Sequence, residues 1–366
     1  MKPSCLHLPW NEQTQAHATQ LLREGAVVAV PTETVYGLAG ISWKSDAVLR
    51  IFSAKQRPSF DPLIAHVPAS WSTLELLQKH EVIQLELCSQ AWRKTMELLI
   101  QKFWPGPLTL LMPRHPRICE LACSGLPDVA VRMPAHPIFQ ALLESLQCPL
   151  SAPSANRFGR ISPTSAQDVI DELGDEIPLV IEGGRAQFGL ESTILHVDQQ
   201  GQALCLRLGA CSLEDIEQVL GYRPQLVAKE HPTLAPGMLE RHYAPGKSLW
   251  LLNAQEDPRP QLRTHAPDAK RVALLFCSAA QPGWSKDLQA TYQTKVFTLS
   301  PEHDDREAAQ ALFTTLRTID QGDFDLILAE APPSSFGLWP AIRDRLQRAA
   351  LKKLTEPSLT VILPNS

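Results

Sequence analysis

The chain has 366 residues, 44% of them hydrophobic and 20% charged, with a formal net charge of −5. That length and composition predict two globular units and exclude a disordered chain, while the acidic balance argues against a broad polyanion-binding surface. No apolar run of about 18 residues occurs, and the N-terminal MKPSCLHLPW lacks the layout of a secretory leader, so a cytoplasmic protein without a membrane span is expected.

Residues 14–24, TQAHATQLLRE, have helical spacing and stop at Gly25, and the apolar run AVVAV that follows reads as a buried strand. The strand ends in Pro31, Thr32, Glu33 and Thr34, which sets hydroxyls and a carboxylate at its mouth, where open α/β sheets hold ligands. SDAVLRIFSAKQ is the next helix, with Ser45 as its cap, and it runs into the basic cluster KQRP. Lys55 and Arg57 alternate with Gln56, so in an extended segment both point to one face, where two cations suit a triphosphate. PLIAHV, LTLLMP and DVAVRMP, starting at 62, 108 and 128, are further strands. HPIFQALLESL and Gln167–Leu173 are further helices, and the alternation predicts a mixed α/β sheet with Val28, Val30, Leu63, Ile64, Leu110, Val129, Val131, Val180 and Ile194 in its core.

Two hydroxyl-rich clusters interrupt this pattern, SAPSANRFGRISPT at 151–164 and GLESTI at 189–194. Their small residues and prolines disfavour regular helix and leave Ser151, Ser154, Asn156 and Ser162 to offer donors. Glu182, followed by Gly183 and Gly184, reads as a turn. Together with the basic cluster these stretches point to an anionic ligand, a nucleotide by preference. Eight cysteines are scattered without a CxxC pair, so reduced thiols are expected and no metal ligands are assigned. From Arg223 to Pro245 prolines gather in an extended linker that nevertheless carries the large polar residues Arg241, His242 and Tyr243. Beyond it SLWLLNA, RVALLFCSA and FDLILAEAP alternate with two amphipathic helices in a smaller α/β domain lacking a Gly-rich phosphate loop. The expected boundaries are 1–212, 213–247 for the linker and 248–366.

Read in register, PTETVYGL, KQRP, FWPGPLTLL, VAVRMP, SAPSANRFGRISPT, GLESTI, LRLGA and APGMLERHYAP resemble the threonylcarbamoyl-AMP synthase family in its long form. The resemblance implies a YrdC-like mixed twisted sheet with flanking helices and a smaller, Rossmann-like C-terminal domain. It implies that L-threonine, bicarbonate and ATP with Mg²⁺ become threonylcarbamoyl-AMP and pyrophosphate. The product passes to a tRNA threonylcarbamoyl-transfer complex, with no stable nucleic-acid binding. Lys55 and Arg57 are then the catalytic cations. Thr34, His66, Arg132, the main chain of Ala152, and Ser192 bind threonine, and Arg57, Asp61, Asp128, Ser154, Asn156, Ser162, Arg207 and Tyr243 bind ATP. Asp61 stands where the family more often shows Asn, and an acid beside phosphates repels them unless Mg²⁺ intervenes. Arg132, with its planar fork, suits the amino acid's carboxylate. The segment around Tyr243 is implied to fold back over the site and to keep water from a labile anhydride.

Three other readings compete. A non-catalytic RNA-binding module with the same fold is disfavoured by the acidic balance and the lack of interleaved basic and aromatic residues. A carbamoyl-transfer domain of the hydrogenase-maturation type is disfavoured by the absence of any CxxC. A serine or cysteine hydrolase lacks its GxSxG elbow or nucleophile signature.

Overall fold

Strands that read as unbroken apolar runs belong where both faces are covered, and the first sheet bears this out. The structure, a computed structural model, describes residues 5–227, 242–332, 334–350 and the backbone of 352–353. Its first eleven strands are β1 (Leu6–Pro9), β2 (Val28–Val30), β3 (Gly37–Ile41), β4 (Ile64–His66), β5 (Leu108–Pro113), β6 (Asp128–Arg132), β7 (Leu150–Ser151), β8 (Leu179–Glu182), β9 (Thr193–Val197), β10 (Ala203–Arg207) and β11 (Gln225–Leu226). They form one mixed sheet in the order β1-β8-β2-β3-β7-β4-β6-β5-β9-β10-β11. In β2, Val28 and Val30 join a cluster with Phe139 and Leu143, whereas Ala29 joins another with Trp71 and Trp92. No position of that strand is left for a polar side chain. All nine core residues expected from the sequence are buried.

The second sheet is wholly parallel and consists of β12 (Ser248–Leu252), β13 (Arg271–Phe276), β14 (Gln293–Thr298), β15 (Leu326–Glu330) and β16 (Lys352–Lys353), ordered β14-β13-β15-β12-β16. Leu249, Leu251, Ala273 and Leu275 pack with the helices Asp305–Gln321 and Trp339–Ala349, while Trp250, Leu252, Leu274 and Phe276 pack with Leu262 and Leu288 on the other face. The first of these clusters crosses the domain border, taking in Val35, Ile161, Leu190, Ala210 and Tyr243. Gly189 marks how close the domains approach. It has φ +67, and a Cβ there would lie 2.7 Å from the Ala309 carbonyl oxygen and from Gln310 Cα of the Asp305–Gln321 helix.

The first domain runs past the expected boundary at 212. Leu213 and Ile216 of the Leu213–Leu220 helix are buried against its core, and β11 extends its sheet beside β10. An amphipathic helix and an edge strand, not linker, therefore open the segment assigned to 213–247. Of the polar residues singled out in that segment, Arg241 lies outside the described residues, whereas His242 and Tyr243 are within them. All eight cysteines are free thiols, and among the described residues no helix is long and apolar enough to cross a membrane.

Candidate active site

Parallel pairing of β4 with β6 sets His66 in register beside Arg132, and both line a cavity with Thr34, Ala152 and Ser192. An arginine 3% exposed in a valine-rich strand needs a partner. Glu33 supplies it, accepting from Nη2 at 2.6 Å, while Thr34 Oγ1 accepts from Nη1 at 2.9 Å and the Gly106 carbonyl from Nε at 3.2 Å. Three of the five guanidinium N–H groups are so engaged. The hydroxyl of Thr32 accepts from the Thr34 and Val35 amides at 3.1 and 3.2 Å, closing the turn that presents Thr34. His66 packs 5.2 Å from the Phe139 ring, and its Nδ1 has no hydrogen-bond partner. Burial, and next the charge of Arg132, lower its pKa to about 3, so the imidazole is neutral.

The basic cluster is not extended. Lys55 is the last residue of the helix Ser45–Lys55 and Gln56 turns left-handed with φ 52, so Lys55 and Arg57 part company. Lys55 is 1% exposed and donates from Nζ to the carbonyls of Ser154, at 2.5 Å, and Asn156, at 2.6 Å. Burial above all, then Arg57, depress its pKa well below the usual lysine value. It holds the SAPSAN loop through these two carbonyls and is not itself among the residues that line the cavity. Arg57 does line the cavity. It donates to the carbonyls of Asp61 and Pro62 at 3.0 and 2.8 Å and pairs with the Asp61 carboxylate at 2.8 Å. Asp61 is thus the counter-ion of Arg57, buried behind it, and not a lining residue.

Asp128 is placed differently from expectation. It opens β6 four residues before Arg132, about 13 Å down the strand and away from the cavity. Ser154 lines the cavity, but Asn156 lies behind it, donating from Nδ2 to the carbonyls of Arg157 and Arg160 at 2.8 and 2.9 Å. Arg207 lines the cavity from β10, donating to the Ser192 carbonyl at 2.8 Å and its hydroxyl at 3.1 Å. Ser162 is fully buried, and its hydroxyl donates to Glu191 at 2.5 Å.

A short strap covers these groups. The amide of His242 donates to the Arg348 carbonyl at 3.3 Å and that of Ala244 to the Gly159 carbonyl at 2.8 Å, so the strap is tied to both domains. Between them Tyr243 adopts φ 63, a left-handed conformation that a non-glycine residue holds only when its surroundings impose it. Its ring stacks on Phe313 at 5.5 Å and meets His242 edge-on at 4.1 Å. Both strap residues line the cavity, whose free space is about 50 Å³. Small-molecule pockets commonly run to roughly 300 Å³ or more, so with the strap in this position the cavity is tightly filled by its own walls.

The sequence sets the Glu33 carboxylate at the strand mouth without naming its partner, and it gives Glu191 and Arg345 no place in the site. The first two stand inside strings that had been singled out, PTET and GLEST, where a carboxylate beside two hydroxyls was the available signal. Arg345 had none, since it comes from the far end of the chain.

A mixed sheet whose inner strands end at a strap-covered cavity, with arginines reaching it from β6 and β10, is the framework of a protein that binds a small anionic ligand. Family profiles agree: one described as "Telomere recombination" matches residues 20–209, and one described as "Threonylcarbamoyl-AMP synthase, C-terminal domain" matches 211–351. The threonylcarbamoyl-AMP synthase of Pyrococcus abyssi is 38% identical over 91% of this chain and 93% of its own, and that of Bacillus subtilis 34% over 94% of each. The crystal structure of P. abyssi Sua5 complexed with L-threonine superposes with a TM-score of 0.77 at 33% identity, covering 94% of this chain and 97% of that one. The chain belongs to the threonylcarbamoyl-AMP synthase family.

Proposed function

We propose that this chain joins L-threonine, bicarbonate and ATP into threonylcarbamoyl-AMP with release of pyrophosphate, and that the product serves threonylcarbamoyladenosine formation in tRNA through a separate transfer complex. The observation that carries the reading is the division of one cavity into two kinds of lining. Thr34, His66 and Arg132 gather where two strands lie in register, and Arg57, Ser154 and Arg207 gather on the loops and strand that flank them. The first group suits an amino acid: Arg132 takes the carboxylate with its remaining N–H groups, and neutral His66 accepts a hydrogen bond at its unprotonated ring nitrogen. The second group suits phosphates, with two guanidinium groups facing charge that grows on the departing pyrophosphate.

In this scheme the threonine nitrogen bonds to the carbon of bicarbonate, and water leaves. A carbamate oxygen then attacks the α-phosphorus of ATP, breaking its bond to the bridging oxygen, and that oxygen departs with pyrophosphate. Mg²⁺ arrives with ATP and is held chiefly by the phosphates, as magnesium commonly is. The two gathered cation and hydroxyl groups favour this reading over a non-catalytic RNA-binding module. The test is pyrophosphate release by the purified chain. Release should require threonine and bicarbonate together with ATP and Mg²⁺, and equal release after bicarbonate is stripped out would defeat the proposal.

A further inference from the structure

We propose that Arg345, on the second domain's Trp339–Ala349 helix, is a positioning residue of the nucleotide site: it cancels the charge of Glu191, a carboxylate on the cavity wall, and braces the strap through Tyr243. The inference rests on the reading that ATP occupies this cavity.

Three carboxylates stand at or just behind the cavity, each held by an arginine. Glu33 is paired with Arg132 at 2.6 Å, Asp61 with Arg57 at 2.8 Å and Glu191 with Arg345 at 2.9 Å. The first two pairs lie within the first domain. The third crosses the domain border, and Glu191 is the one of these three carboxylates that lines the cavity. An uncancelled carboxylate there would repel phosphates.

The geometry of Arg345 is that of a fixed clasp. Its side chain is fully buried, with Nε on Glu191, Nη1 on Asp344 at 2.7 Å and Nη2 on the Leu208 carbonyl at 2.8 Å. The guanidinium carbon lies 4.9 Å from the centre of the Tyr243 ring. One side chain therefore touches the cavity-lining acid, the backbone next to Arg207, and the strap. Around Glu191 the facing groups are Arg345 from the second domain, Arg207 from β10, the Ser162 hydroxyl from the SAPSAN loop and Tyr243 from the strap. Burial alone would raise the pKa of Glu191; Arg345 foremost, then Arg207 and Ser162, hold it below the usual carboxylate value. Removing Arg345 takes away the foremost of the groups that oppose burial.

The experiment is calorimetric titration of the full chain with ATP at pH 8, and separately with threonine, for wild type, Arg345→Met, Glu191→Gln and the double variant. Arg345→Met should weaken ATP binding about tenfold or more, and threonine binding much less. Glu191→Gln alone should strengthen ATP binding about two- to fivefold, because a cavity anion is gone. The double variant should return to within about threefold of wild type, since neither charge remains. As the pH is lowered stepwise from 8, the gap between Arg345→Met and the double variant should narrow, because protonating Glu191 removes the charge that Arg345 no longer cancels, a change that mere loss of packing does not produce. A double variant as weak as Arg345→Met, or a gap that ignores pH, overturns the inference. Should Arg345→Met fail to fold, Glu191→Gln still decides, because weaker ATP binding in it contradicts the charge argument. A wild-type chain that binds no ATP removes the underlying reading instead, a result distinct from either.

Discussion

The neutral imidazole of His66 makes the protein's stability depend on pH in a calculable way. An unfolded histidine titrates near 6.5, whereas burial and the neighbouring Arg132 hold His66 at about 3 in the folded chain. Between those values the unfolded chain binds the extra proton, so stability falls as pH drops below 6.5 and the loss is complete only near pH 3. Linkage gives a cost of about 2 kcal/mol at pH 5, against about 0.1 kcal/mol at pH 7.5. The perturbation is His66→Asn, which keeps a polar atom near Nδ1 and removes the titration. Urea unfolding at pH 7.5 and pH 5.0 should show wild type losing about 2 kcal/mol more than the variant over that interval. His242, whose pKa is also depressed by burial and then by Arg57, titrates in both proteins and cancels from the comparison. Equal pH dependence in the two proteins would refute the reasoning and return His66 to the ranks of freely titrating histidines.

Arg132→Ala combined with Glu33→Gln, which leaves no orphaned buried carboxylate, should weaken threonine binding by about 1.5–3 kcal/mol with little effect on ATP, measured by calorimetry with each ligand; unchanged threonine binding would make the arginine purely structural. Gly189→Ala should lower stability by about 1–3 kcal/mol because the new methyl meets the backbone of the Asp305–Gln321 helix, and an unchanged thermal midpoint would show that the domains do not approach so closely there.

Much of the fold was legible because periodicity reports burial. The runs around Val28, Leu110 and Val131 are apolar on both sides of the pleat, and they are strands of a sheet covered on both faces. β1 was missed because LHLP is a short edge strand, largely exposed, whose pairing with β8 depends on a partner some 170 residues away. In the site, clusters of unusual composition located the cavity wall, but composition does not say which way a side chain points. Lys55 and Arg57 are two residues apart, yet the left-handed turn at Gln56 sends one to the back of the SAPSAN loop and the other to the cavity. Asp128 and Arg132 share a strand, and its length alone separates them. The partners of Arg132 and Glu191 were hidden for another reason: ion pairing across the fold is fixed by tertiary contact, and nothing local in the chain announces it.

The apolar cluster that joins the two domains also sets a condition on how the chain is made. Val35, Ile161, Leu190 and Ala210 leave the ribosome before the helices that cover them, and roughly 140 residues separate Ala210 from Ala349 at the end of the last of those helices. At about 5–20 residues per second, synthesis of that interval takes roughly 7–30 s, during which the first domain can fold but carries an uncovered sticky face. A nascent chain in that state is open to capture by chaperones or to association with its neighbours on the same message. The interface that later completes the enzyme is therefore the surface on which its biogenesis is most exposed to failure.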